Sequence, residues 1–120
     1  MKNQNPDQRA KELHSLIKHN HTQNNTTTAV LNTTTDIVVV ASSEIRLRKE
    51  LKDALNENEK EATGNGHAEE KAIKKAKELK TQGTEIGASR PICIDCEELI
   101  KQNDIIAKTE FSNKKSKNRQ

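Results

Sequence analysis

Aromatic side chains are almost missing from this chain: its 120 residues include one Phe, at position 111, and no Trp or Tyr. Any core must therefore be built from Ile, Leu, Val and Ala. Hydrophobic residues are also scarce, at 30%, and charged residues match them at 32%, so that core is thin. A small domain with a thin core gains from an added staple, and a bound metal is one such staple. No apolar stretch approaches the length of a membrane span, and the N-terminus lacks the apolar segment of a signal peptide, so no membrane partner is expected. The two cysteines are too few for a disulfide framework; three positions apart, they point to a metal or redox role. The net charge of +3 is mild and partly local, because Lys114, Lys115, Lys117 and Arg119 crowd one end. By itself it does not mark a nucleic-acid binder.

Local patterns divide the rest. Asn5-Pro6 has the form of an N-cap followed by proline in the first helical position, and Ala10, Leu13, Leu16 and Ile17 make one apolar stripe, so a helix is expected over 6–19. The polar stretch from His19 to Thr28 is expected to be a loop, which would make the helix before it an accessory. Thr27–Leu31 and Ile37–Ala41 predict a hairpin, and the unbroken apolar run of the second arm suits a strand covered on both faces. Ser42 or Ser43 is positioned to cap a helix over 44–58, and Gly64 and Gly66 require a turn after it. Ala68, Ala72, Ile73, Ala76 and Leu79 share a face of a helix over 67–80. Further expectations are a strand over Glu85–Ser89, a helix starting near Cys93, and a last strand over Ile105–Phe111. Helices alternating with strands predict a layered α/β domain. The expected division is an N-terminal helix and polar linker (1–26), a main α/β domain (27–111) and a basic disordered tail (112–120).

The chemistry concentrates in four residues. Catalytic zinc commonly takes three protein ligands and leaves a fourth position open. His67, Cys93 and Cys96 supply one imidazole and two thiolates, and the cysteines share one turn at a helix start. Glu69, in the first turn after His67, is placed to carry protons rather than to ligate. If both helix N-termini converge, their partial positive charge favours the thiolates.

His67-Ala68-Glu69 together with Pro91-Ile92-Cys93-Ile94-Asp95-Cys96 resembles the H-x-E and P-C-x-x-C pair of the cytidine deaminase superfamily. More narrowly, GHAEEKAI and IGASRPICIDCEELI resemble deaminase domains at the C-terminal ends of bacterial polymorphic toxins, and TAVLNTTTDIVVVASSE fits their first hairpin. The resemblance spans about residues 27–110. It implies a three-layer α-β-α sandwich of the cytidine deaminase-like type, here with an N-terminal accessory helix. It implies a Zn2+-dependent hydrolytic deaminase of a nucleobase, cytosine ahead of adenine, in nucleic acid or nucleotide, and a toxin effector role. His67, Cys93 and Cys96 would be the metal ligands and Glu69 the catalytic proton carrier; Ala68, Ser89 and Arg90 are candidate substrate contacts. A cognate immunity protein is the implied partner. The location would be cytoplasmic, or a target cell reached as part of a larger exported protein. Proline stands one place early, with Ile92 between it and Cys93, a departure from the family's pattern at the helix start. Deaminases usually hold the base against a ring, and here only Phe111 and the histidines offer one.

Each feature also has a plainer explanation. An H-x-E pair alone arises by chance, and Cys-x-x-Cys alone is compatible with a redox pair or a structural half-site. Glu70 suits the helix dipole, Arg90 is equally a solvated loop charge, and Ser43 is better read as a cap than as a pocket residue. His14, His19 and His21 are expected at the surface. Two other functions remain open: a salvage deaminase acting on a free nucleoside or nucleotide, and a catalytically silent zinc-stapled binding module.

Overall fold

The valine-rich run forms the strand next to the centre of a five-stranded mixed sheet. The structure is a computed structural model that describes residues 4–114. Its strands are β1 (Thr28–Thr33), β2 (Val38–Ser42), β3 (Glu59–Ala62), β4 (Gly83–Ala88) and β5 (Ile106–Ala107), in the spatial order β3-β2-β1-β4-β5. β1 is antiparallel to β2, as the hairpin predicts, and to β4; β3 and β5 add parallel to β2 and β4.

Alternate residues of the strands serve two cores. Ala29, Leu31, Val39, Ala41 and Ile86 face α4 (Ala68–Glu78) and α5 (Ile94–Gln102). Val30, Val38 and Val40 face α1 (Pro6–His14) and α3 (Lys49–Ala54), where Ala10, Leu13, Leu47 and Leu51 are buried. Helices thus cover both faces of the sheet.

The helix expected to be an accessory is part of this framework. Asn5 caps α1 by accepting a hydrogen bond from the Asp7 N–H, and Pro6 occupies the first turn, as predicted. Ala10 and Leu13 are fully buried. A Cβ on Gly87 of β4 would run into the backbone of Pro6 and Asp7, so glycine permits the helix start to rest on the strand. The Arg9 guanidinium makes two bonds to Glu59 on β3 (2.7 and 2.8 Å) and one to the Ala54 carbonyl (2.9 Å). The helix ends at His14 rather than at 19, because the Gln23 side-chain amide takes up the carbonyls of His14, Ser15 and Ile17.

Other boundaries also shift. Part of the expected loop is a short helix, α2 (Asn20–Asn25), whose N-cap His19 accepts from the Thr22 N–H. The helix expected over 44–58 is reduced to α3. Ser42 and Ser43 do not cap it: Ser42 accepts from the Glu44 N–H and Ser43 from the Thr27 N–H. The stretch after α3 instead forms β3. His14 is buried, with its ring nitrogens against Thr28 Oγ1 and the Gln23 carbonyl, not at the surface. The last strand is only two residues long, although Phe111 adds a parallel bridge to Ile92. Ser112 and Lys114 are hydrogen-bonded to Ile92 and Ile94, so the chain is still tied down where the tail was expected to begin; the rest of that tail, 115–120, lies outside the described residues. No described helix is long and apolar enough to cross a membrane.

Candidate metal centre

Two helix starts meet on the α4–α5 face of the sheet. His67 is the N-cap of α4 and Cys93 the N-cap of α5, and neither side chain caps its own helix. The turn before His67 depends on Gly66 at φ +117°, a backbone conformation that L side chains rarely adopt. After β4 the chain passes through Ser89-Arg90-Pro91 to Cys93. Ile92 is fully buried; its N–H donates to the Glu110 carbonyl and its own carbonyl accepts from the Ser112 N–H. The residue inserted between proline and cysteine is therefore an anchor that pairs this loop with the Phe111 segment.

The imidazole turns inward instead of capping. His67 Nδ1 lies 3.3 Å from Cys93 Sγ and 3.2 Å from Cys96 Sγ, and the three donor atoms all fall within 4.8 Å of one another. Both thiols are free and buried. A tetrahedral ion with ordinary Zn–N and Zn–S bonds separates such atoms by roughly 3.6 Å, so a small opening of the cluster would seat one. The charge balance points the same way. Burial foremost, then the neighbouring Glu69 and Cys93, push the Cys96 thiol well above its usual range. A divalent cation supplies the positive charge that this cluster otherwise lacks. The residues present therefore fit a metal ion.

Glu69 sits directly beside the ligands. It is buried, and its Oε1 is 3.8 Å from Cys96 Sγ. Burial raises its carboxyl pKa; its own backbone N–H, Cys96 and the charge of Arg90 pull the other way without cancelling the effect. A carboxyl held nearer neutrality is suited to accept and return a proton.

Compared with protein families, with curated proteins and with solved structures, the chain finds no match.

The remaining candidates are spread around the cluster. Ala68 is fully buried in the core. Ser89 Oγ accepts from the Thr28 N–H, closing the gap between β1 and β4. Arg90 is half-buried and lines a cavity on the α1–α2 side. A separate hollow of about 270 Å³ lies over His67 and Cys96 and is edged by Glu70, Asp95 and Glu98. Phe111 packs against the core beneath the Lys101 ammonium, 5.6 Å from its ring centroid.

One residue escaped the sequence reading. Lys71, on the α4 turn after Glu69, is buried and donates to the carbonyls of Glu44 and Gly64. It ties the loop after β2 and the turn before His67 to the helix that carries Glu69. Burial lowers its pKa. An exposed-looking lysine in a charged helix carries no sequence signal for this role.

Proposed function

We propose that the chain is a zinc-dependent hydrolytic deaminase of a nucleobase, cytosine ahead of adenine, with a cytidine deaminase-like three-layer fold. The observation that carries this reading is the meeting of His67, Cys93 and Cys96 at two helix starts, with the buried carboxyl of Glu69 at their side. One nitrogen and two sulfur donors suit zinc and leave one position of a tetrahedron open. Zinc held there would act as a Lewis acid and lower the pKa of water to about 7.

The protein's own part is positioning and proton transfer. His67, Cys93 and Cys96 hold the ion. Glu69 would take one proton from the attacking water and give it to the ring nitrogen, then take the second from the hydroxyl now on the ring carbon and give it to the amino group, so that the C–N bond breaks, ammonia leaves and the ring carbonyl forms. Its burial keeps bulk water from competing for those protons. Lys71 fixes the turn that sets His67 relative to Glu69. The motif's resemblance to polymorphic-toxin domains supports an effector role, with an immunity protein as its partner.

Glu69 also weighs against a silent zinc-stapled module, because three ligands staple the fold without a buried carboxyl next to them. The test is Glu69→Gln. It keeps the shape but cannot carry a proton, so the variant should retain its zinc and its fold. Ammonia release from cytidine, deoxycytidine oligonucleotides and their adenine counterparts should drop by about 10²–10⁴-fold. A zinc-loaded variant with near-full turnover would overturn the assignment of Glu69, and a wild type inactive on every one of these substrates would overturn the deaminase reading.

A further inference from the structure

Two hollows flank the segment that carries the cysteines, and their charges are opposite. The one over His67 and Cys96 is edged by Glu70, Asp95 and Glu98 and repels an anion. The other, about 360 Å³, lies between the end of α1, α2 and the loop after β4. Its lining includes Arg90 and Lys11 but no acidic residue.

This second hollow is held in shape from several sides. His14 Nε2 lies 2.6 Å from the Gln23 carbonyl, which can only accept, so this nitrogen donates, and Nδ1 is hydrogen-bonded with Thr28 Oγ1 at 2.9 Å. The Gln23 side chain ties down the last carbonyls of α1. Ser89 closes the floor against β1. Ser15 Oγ and Thr26 Oγ1 donate to the carbonyls of Glu12 and Thr22, so the lining hydroxyls and the glutamine amide are already engaged and the cations are left to meet a ligand. Among the described residues Lys11 is paired with Asp7 alone, in an i,i+4 contact at the surface that a stronger anion displaces readily. Arg90 presents a planar fork of donors that matches phosphate oxygens, and it stands three positions before Cys93 on the loop that leads from β4 to the metal centre.

We propose that this hollow is a phosphate subsite, in which Arg90 and Lys11 hold a phosphate of the nucleotide whose base is presented to the Glu69 side. This rests on the deaminase reading for the base and extends it to the substrate class: a phosphate-bearing nucleotide rather than a free nucleoside. The phosphate belongs either to a mononucleotide or to a polynucleotide backbone, and both present the same oxygens to the fork.

The experiment uses the zinc-loaded full chain at fixed ionic strength. Inorganic phosphate, cytidine monophosphate, cytidine and a short fluorescein-labelled oligodeoxycytidylate are titrated into wild type, Arg90→Gln, Lys11→Gln and Lys74→Gln. Lys74 is exposed on α4 and controls for the loss of one charge anywhere. Arg90→Gln should weaken binding of the phosphate-bearing ligands by about tenfold, the equivalent of one charged hydrogen-bonding group. Lys11→Gln should weaken it less, and Lys74→Gln by under about twofold. Amide shifts on adding inorganic phosphate should centre on residues 11–15 and 89–90. Tight binding of the oligonucleotide identifies a polymer as the source, and tight binding of the monophosphate alone identifies a free nucleotide. Equal effects of Arg90→Gln and Lys74→Gln, or cytidine binding as tightly as its monophosphate, would overturn the subsite. Arg90-dependent phosphate binding without turnover of any base would keep the subsite and remove the deaminase reading.

Discussion

Replacing Arg9 by Met should cost more stability than any surface change in this chain. The Arg9 and Glu59 side chains are 10% and 5% exposed, and the guanidinium meets the carboxylate with two short bonds. The same side chain bonds the Ala54 carbonyl, so it joins α1, β3 and the end of α3. Hydrogen bonding to Glu59, the largest influence, holds the guanidinium pKa above its already high ordinary value. Methionine fills similar space but leaves a buried carboxylate without its cation. Breaking such a pair from one side costs about 3–5 kcal/mol. That is about a fifth or more of the roughly 5–15 kcal/mol that holds a domain folded. At this size each kcal/mol moves the midpoint by roughly 3–6 °C, so the variant should melt about 10–30 °C lower. The accompanying contact with the exposed Glu12 adds little. Arg9→Met combined with Glu59→Gln should recover much of the loss, because the amide is uncharged and its oxygen still accepts from the Asn56 N–H. Urea unfolding of the four members of this cycle measures the coupling. A single variant losing under about 1 kcal/mol, or a double variant no better than the single, would refute the argument.

Elemental analysis of purified protein should find one zinc per chain, and chelation should lower the melting temperature because ligation is coupled to folding; no zinc and unchanged melting would remove the metal centre. Gly87→Ala should destabilise by about 1–3 kcal/mol, read from the urea midpoint, because the new methyl meets backbone of Pro6 and Asp7 that cannot swing aside. Induced expression in a bacterial cytosol should reduce viable counts and raise base transitions for wild type but not for Glu69→Gln. Equal growth of the two strains with no added transitions would remove the effector role and leave the metal site standing.

The elements that could be read from the chain were those whose signal is local. β-branched runs gave the hairpin, and apolar spacing of three and four gave α4 and α5. β3 was hidden because Glu-Lys-Glu-Ala has no strand signature; its place is made by pairing with β2 and by Arg9, fifty positions earlier in the chain, neutralising Glu59. The helix over 44–58 was overextended because Leu47 and Leu51 share one buried cluster while only the second lies in a helix. α2 has no apolar period to detect. The metal donors were visible because they sit on two short motifs at helix starts. The cationic hollow was not, since only the folded chain brings Lys11 beside Arg90.

The central position of β1 has a consequence for the order in which the molecule becomes itself. After β1 and β2 have paired, the other edge of β1 stays bare until β4, which begins at residue 83, has been synthesised or threaded through. A chain stopped before that point carries an open apolar strand edge, the feature that templates aggregation. His67 precedes β4 and the cysteines follow it, so the donors do not meet until that late strand is inserted. Such long-range closure is slow compared with forming a hairpin. In a nascent or unfolded chain the three donors are therefore apart, and the cluster forms only once β4 has taken its place in the sheet.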